Sequence, residues 1–148
     1  MHSNRRSRPL VLMIEDDPEA WVIFGKILNY NGYDATCVLT GQQGYAAAQN
    51  DNPAIILLDM SLPDMDGTQV MRMLREGGLN GIPVVALTAR PPNHSSVTAE
   101  RGGFARCLEK PVSPLYVLQT VEAVIGRAPA PGVGSPPQFR EIAPPSAC

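Results

Sequence analysis

Ile55-Ile56-Leu57-Leu58-Asp59-Met60-Ser61-Leu62-Pro63-Asp64-Met65-Asp66-Gly67 is the stretch on which the fold turns. Four consecutive aliphatics run straight into the carboxylate of Asp59, and Pro63, Asp64 and Gly67 then supply the chemistry of a loop. A run that is apolar at every position belongs to a strand covered on both faces, as in a parallel sheet flanked by helices. Asp59 is thereby placed at the carboxyl end of a buried strand. In open α/β sheets ligands bind at that edge, because loops and helix N-termini surround the side chains that the strands deliver. A lone Asp also serves as a helix cap or turn former, so its role depends on what else the chain brings to the same edge.

Upstream, Leu10 to Ile14 is a second unbroken apolar run, and it too ends in acids: Glu15, Asp16 and Asp17. Pro18 opens a helix in which Ala20, Trp21, Phe24, Ile27, Leu28 and Asn31 recur at helical spacing until Gly32 stops it. Residues 33–39, enriched in Thr, Cys and Val, read as a strand, after which Thr40 caps an alanine-rich helix over about 41–50. Downstream, Val70, Met71 and Leu74 mark a helix over about 67–75, closed by Gly77 and Gly78. Pro83 leads into the apolar strand Val84 to Thr88.

Residues 90–103 contain Pro91, Pro92, Asn93, Ser95, Ser96 and Thr98, and read as a short, weak helix and the softest element of the domain. Residues 104–108 form a fifth short strand, and Lys110-Pro111 follows it. Pro114 opens a last helix with Leu115, Leu118, Val121 and Ile125 on its apolar face. Glu122 adjoins Val121, so one of the two is expected to be peripheral.

The 148 residues allow one domain with a substantial core. A net charge of -2 gives no general attraction to nucleic acid or membrane, and no segment reaches the length of a membrane span. Function is expected to come from a local site, without direct nucleic-acid contact or membrane insertion. Cys37, Cys107 and Cys148 form an odd set without CxxC spacing, which points to reduced thiols in a cytoplasmic protein. Residues 1–8, with Arg5, Arg6 and Arg8, are expected to be a flexible basic tail; the apolar run after them is too short for a signal peptide. From residue 127 onward Pro, Gly, Ala and Ser dominate, so residues 127–148 are expected to be a disordered tail, and they lack a clean PxxP motif with a basic anchor. His2 and His94 have no metal-ligand partner at useful spacing and read as exposed.

Strands alternating with helices imply an α/β, doubly wound, five-stranded parallel sheet with all strand carboxyl ends on one edge. That edge collects Glu15 and Asp16 from the first strand, Asp59 from the third, Thr88 from the fourth and Lys110 after the fifth. Carboxylates this close repel by about 4 kcal/mol per pair at 4 Å and an effective dielectric near 20, so they either protonate or hold a cation. Oxygen ligands with access to water suit magnesium, which favours phosphate as a co-ligand.

Residues 9–126 resemble the receiver domain of two-component response regulators. The resemblance is carried by Glu15-Asp16-Asp17, the stretch from Leu57 to Gly67, Leu87-Thr88-Ala89, Gly103 and Lys110-Pro111, in that order and spacing. It implies a flavodoxin-like receiver fold in which Asp59 accepts a phosphoryl group from a histidine kinase or phosphotransfer protein. It also implies that Asp16, Asp59 and the Ser61 backbone carbonyl ligate Mg2+, with Glu15 acting through water. Thr88 and Lys110 would stabilise the phosphoryl charge, and the Lys110–Pro111 bond would be cis. The family often has an aromatic residue three positions before the lysine; here that position is Cys107. Arg90 lies where the family tunes hydrolysis of the aspartyl phosphate.

The expectation is therefore a stand-alone phosphorylation switch rather than a conventional enzyme, altering a face that binds a downstream protein. Two competing readings are a constitutive interaction module that does not use phosphorylation and a flavodoxin-like cofactor binder. The intact set of acids, Thr88 and Lys110 opposes the first; the absence of a Ser/Thr/Gly-rich phosphate loop after the first strand opposes the second.

Overall fold

In chain order the elements are β1 (Leu10–Ile14), α1 (Pro18–Tyr30), β2 (Asp34–Val38), α2 (Gly41–Asp51), β3 (Ile55–Asp59), α3 (Gly67–Glu76), β4 (Val84–Thr88), β5 (Arg106–Glu109) and α4 (Pro114–Ile125). They come from a computed structural model that describes residues 7–89 and 103–126. The expectations for residues 1–6, Arg90, His94, the weak helix up to residue 102 and the tail from residue 127 lie outside the described residues.

The five strands form one parallel sheet in the order β2-β1-β3-β4-β5. β1, β3 and β4 are buried at every position, which is why their sequences are continuous aliphatic runs rather than alternating ones. Successive side chains point to opposite faces, so the runs feed two cores. Val11, Met13, Ile55, Leu57, Val85 and Leu87 pack towards α1 and α4; Leu12, Ile14, Ile56, Leu58 and Val84 pack towards α2 and α3. Each such side chain contributes roughly 1.5–3 kcal/mol when fully buried.

Caps set the helix ends. Asp17 caps α1 ahead of Pro18, Thr40 caps α2, Asp66 caps α3 and Ser113 caps α4 ahead of Pro114. α1 ends where Gly32 takes φ 95°, a left-handed conformation that glycine adopts without steric cost.

Several expectations are corrected. β5 starts at Arg106, not at residue 104: Ala105 N–H donates to Val84 O at 2.8 Å, the ladder begins at the Val85–Arg106 pair, and Phe104 instead packs against the α2/α3 core. Val121 and Glu122 are both buried, so neither is peripheral. Tyr33 precedes β2 rather than opening it and is fully buried in the α1/α4 core. Arg8 belongs to the fold rather than to a loose tail: its guanidinium donates to Asp34 Oδ1 at 3.0 Å, Asn29 O at 2.7 Å and Tyr33 O at 2.8 Å. Cys37 carries a free thiol, in line with the expectation of reduced thiols at that position.

Candidate functional site

The sheet order places β1 beside β3, and the connection leaving β1 runs outward to β2 while the one leaving β3 runs the other way to β4, which opens a crevice between their carboxyl ends. Ile14 is in register with Leu58, and the next residues, Glu15 and Asp59, therefore leave neighbouring strands side by side. One carboxylate oxygen from each of Glu15, Asp16 and Asp59 lies within 4.8 Å of the others. Glu15 and Asp59 are buried and Asp16 is exposed, so the cluster has a dry floor and an open mouth.

Lys110 enters from the far side of the sheet. Its N–H donates to Thr88 O at 2.7 Å, and the bond to Pro111 is cis. The ammonium lies 3.2 Å from Glu15 Oε1, 3.5 Å from Glu15 Oε2 and 3.4 Å from Asp59 Oδ2. Thr88, only 5% exposed, ends β4 one position beyond Leu87, the register partner of Asp59. Ser61 N–H donates to Asp59 Oδ1 at 3.0 Å, and Asp17 N–H donates to Glu15 Oε2 at 3.1 Å, so each buried carboxylate has one oxygen held by backbone.

Burial pushes the Glu15 carboxyl up to about 7; the nearby Asp59 charge adds to this and the Lys110 charge partly offsets it. Burial alone would lower the Lys110 ammonium, but the charges of Glu15 and then Asp59 outweigh it, and the net shift is upward. The Cys37 thiol, which donates to Glu15 O at 3.6 Å, is pushed up to about 12 by burial and then by the Glu15 charge, which leaves it protonated and unreactive.

Glu15 Oε1 is buried with no hydrogen-bond partner although the Lys110 ammonium is nearby. An acceptor in that state, beside two further carboxylates and solvent access at Asp16, fits a hard divalent cation that takes oxygen ligands and keeps several waters. The donor set therefore suits Mg2+. A space of about 350 Å3 lined by Leu74, Leu79, Val84 and Arg75 lies at the amino end of β4, away from the acids.

The structure gathers Glu15, Asp16, Asp59 and Lys110 by their side chains. Ser61 joins through its N–H, and Thr88 through its position and its carbonyl. A residue singled out only as a loop former has a further part: Asp64 Oδ1 accepts from Gly41 N–H at 2.8 Å and Oδ2 from Gln42 N–H at 3.0 Å. No spacing signal marks that contact, because its partners lie 23 and 22 residues upstream.

The fold and this crevice define a class, the receiver domains of two-component signalling, which signal rather than act as conventional enzymes. The chain belongs to the response regulator receiver domain family, whose pattern matches residues 11–122. It is 33% identical over 122 residues to the uncharacterized transcriptional regulatory protein YclJ of Bacillus subtilis, covering 82% of this chain and 53% of that protein. The chain spans about half the length of the curated relatives it matches.

Among solved structures it resembles the signal receiver domain of a putative Luxo repressor protein from Vibrio parahaemolyticus, with a TM-score of 0.75, 26% identity, and coverage of 80% of this chain and 91% of that one. It also resembles the receiver domain of the sensor histidine kinase PA1611 from Pseudomonas aeruginosa PAO1, with a TM-score of 0.73, 27% identity, and coverage of 80% and 98%. That domain is described with a magnesium ion coordinated in its active-site cleft. No described helix is long and apolar enough to cross a membrane.

Proposed function

We propose that the chain is a phosphorylation switch in which Asp59 accepts a phosphoryl group from a histidine kinase or phosphotransfer protein and thereby alters a surface read by a downstream protein. The observation that carries this reading is the convergence of Glu15, Asp16, Asp59 and Lys110 at the carboxyl edge of the sheet.

Asp59 is assigned the attack because it ends β3, the central strand of the sheet, with Oδ1 held by Ser61 N–H and Oδ2 facing the Lys110 ammonium. As the donor P–N bond breaks and the Asp59 O–P bond forms, Lys110 offers a fixed positive charge to the phosphoryl oxygens, and Thr88 is the hydroxyl donor at the end of the adjoining strand. Asp16, Asp59 and the Ser61 carbonyl would hold Mg2+, with Glu15 acting through water. When bound, the ion would spread the phosphoryl charge and relieve repulsion between the incoming group and the acids. The magnesium described for the Pseudomonas receiver supports this assignment by analogy.

Incubation with Mg2+ and acetyl phosphate, followed by intact mass measurement, tests the acceptor. One added phosphate on the wild type and none on Asp59→Ala is expected. Equal labelling of both proteins would remove Asp59 from the role.

A further inference from the structure

The loop between β3 and α3 is pinned within itself. Ser61 N–H donates to Asp59 Oδ1 at 3.0 Å, Gly67 N–H donates to Met60 O at 3.0 Å, and Ser61 bridges Asp66. At its base Met60 N–H donates to Leu87 O at 2.9 Å, which fixes that end to β4. Its apex is tied to a different element. Asp64 accepts from the first two amides of α2, at Gly41 and Gln42, while Thr40 Oγ1 takes the third, Gln43 N–H, at 3.1 Å.

Helix N-terminal amides lack intrahelical acceptors, and a carboxylate there also meets the positive end of the helix dipole. The Gly41 N–H, as the chief cause, together with the neighbouring backbone amides holds the Asp64 carboxyl below its ordinary range. The approach depends on a bare Cα at Gly41, because a Cβ there would meet Met65 Cγ at 2.7 Å and Val70 Cγ2 at 2.8 Å.

α2 also touches the other half of the acidic site, since Gly44 lies directly against Ile14, the residue preceding Glu15 and Asp16. One helix thus contacts β1 at the point where two acids leave it and the loop that follows the third.

We propose that Asp64 is a positioning residue for the acidic site: by bridging the first two amides of α2 it fixes the loop after Asp59 and so sets the geometry in which Asp59 and Ser61 meet a divalent cation. This rests on the assignment of those two residues to the cation. Asp64 is not a member of the acidic cluster; it acts through the loop.

Asp64→Ala, Asp64→Asn and Thr40→Ala separate positioning from capping. Thr40→Ala weakens the same helix end without touching the loop, so it controls for lost helix stability. Each protein is melted thermally, titrated with Mg2+ by calorimetry, and followed metal-free by amide exchange at Ser61 and Gly67. Asp64→Ala is expected to weaken Mg2+ binding about tenfold, the scale seen when outer partners of a metal site are removed, and to speed exchange at both amides. Asp64→Asn keeps one acceptor oxygen and should fall between Asp64→Ala and wild type, and it serves alone if Asp64→Ala fails to fold. Thr40→Ala should melt earlier with Mg2+ binding and loop exchange like wild type. If Asp64→Ala and Thr40→Ala lose stability alike and neither changes Mg2+ binding or loop exchange, Asp64 is only a helix cap and the proposal is overturned. If the wild type binds no Mg2+, the metal assignment fails instead, and exchange decides on Asp64: faster exchange sustains its hold on the loop, unchanged exchange overturns it.

Discussion

The Lys110 ammonium lies 3.2 Å from Glu15 Oε1, a buried acceptor that has no hydrogen-bond partner. It is also 3.4 Å from Asp59 Oδ2, so one cation offsets the repulsion of two carboxylates. A divalent ion and this ammonium therefore compete for the same negative charge. Lys110→Met removes the competitor, and calorimetry is expected to show tighter Mg2+ binding together with slower uptake of phosphate from acetyl phosphate. Without metal the variant should be less stable by about 1–3 kcal/mol, a loss kept moderate because the lysine is partly exposed. Saturating Mg2+ should close most of that gap in urea titrations. A metal-free variant as stable as wild type would show that the lysine is merely solvated.

Asp16 supplies the exposed member of the acidic cluster. Its removal relieves like-charge repulsion, so metal-free Asp16→Ala should melt no earlier than wild type. Mg2+ at 100 times its dissociation constant stabilises a protein with one site by about 2.7 kcal/mol. At that concentration the wild type should show the corresponding rise in melting temperature, reversed by a chelator. Asp16→Ala should show little of it. An equal rise in both proteins would place the ion elsewhere.

The chain states its strands openly because β1, β3 and β4 are covered on both faces, and only continuous aliphatic runs satisfy that environment. The site was legible for the same reason: Glu15, Asp59 and Thr88 interrupt or end those runs, and a polar residue there stands out. Relations spanning the chain were hidden. Asp64 bonds amides 23 and 22 residues away, and Arg8 bonds Asp34 across 26 residues, with side chains that look like ordinary loop and tail residues. The start of β5 was misplaced because Phe104 suits a strand by type, whereas its place is settled by packing against the α2/α3 core ahead of the first β4–β5 pair.

Arg8 is the clearest test of those hidden relations. Its guanidinium meets Asn29 O and Tyr33 O, carbonyls at and just beyond the last turn of α1, and the carboxylate of Asp34 at the start of β2. Positive charge near a helix C-terminus is favourable, and here it also joins helix and strand. Arg8→Ala is expected to cost about 1 kcal/mol in urea unfolding, with Arg8→Lys recovering only part because an ammonium lacks the guanidinium fork. Mg2+ binding should be unaffected. No change in the unfolding midpoint would return Arg8 to the solvated tail.

Asp66 links acid stability to a single cap. Its Oδ1 accepts from Thr68 Oγ1 at 2.6 Å and Gln69 N–H at 3.0 Å, and it starts α3, whose Val70, Met71 and Leu74 fill the core. The Thr68 hydroxyl, followed by the Gln69 amide, holds the Asp66 carboxyl below its ordinary value of 3.8. The native state therefore binds the proton less readily than the unfolded chain. The stabilisation is fully present above pH 3.8 and is lost as pH falls through the native value, below 3.8. Asp66→Ala is expected to cost about 1 kcal/mol near neutral pH, the usual magnitude for a lost N-cap. Because protonation removes the same contribution from wild type, the difference between the two proteins should shrink as pH drops below 3.8. Asp66→Asn keeps an acceptor that does not titrate, so it should retain most of the neutral stability and lose this part of the acid dependence. Urea midpoints measured as a function of pH, taken as differences from wild type, cancel the titration of the other acids. A difference between Asp66→Ala and wild type that stays constant through the acid range would show that the ionised carboxylate is not what holds the start of α3.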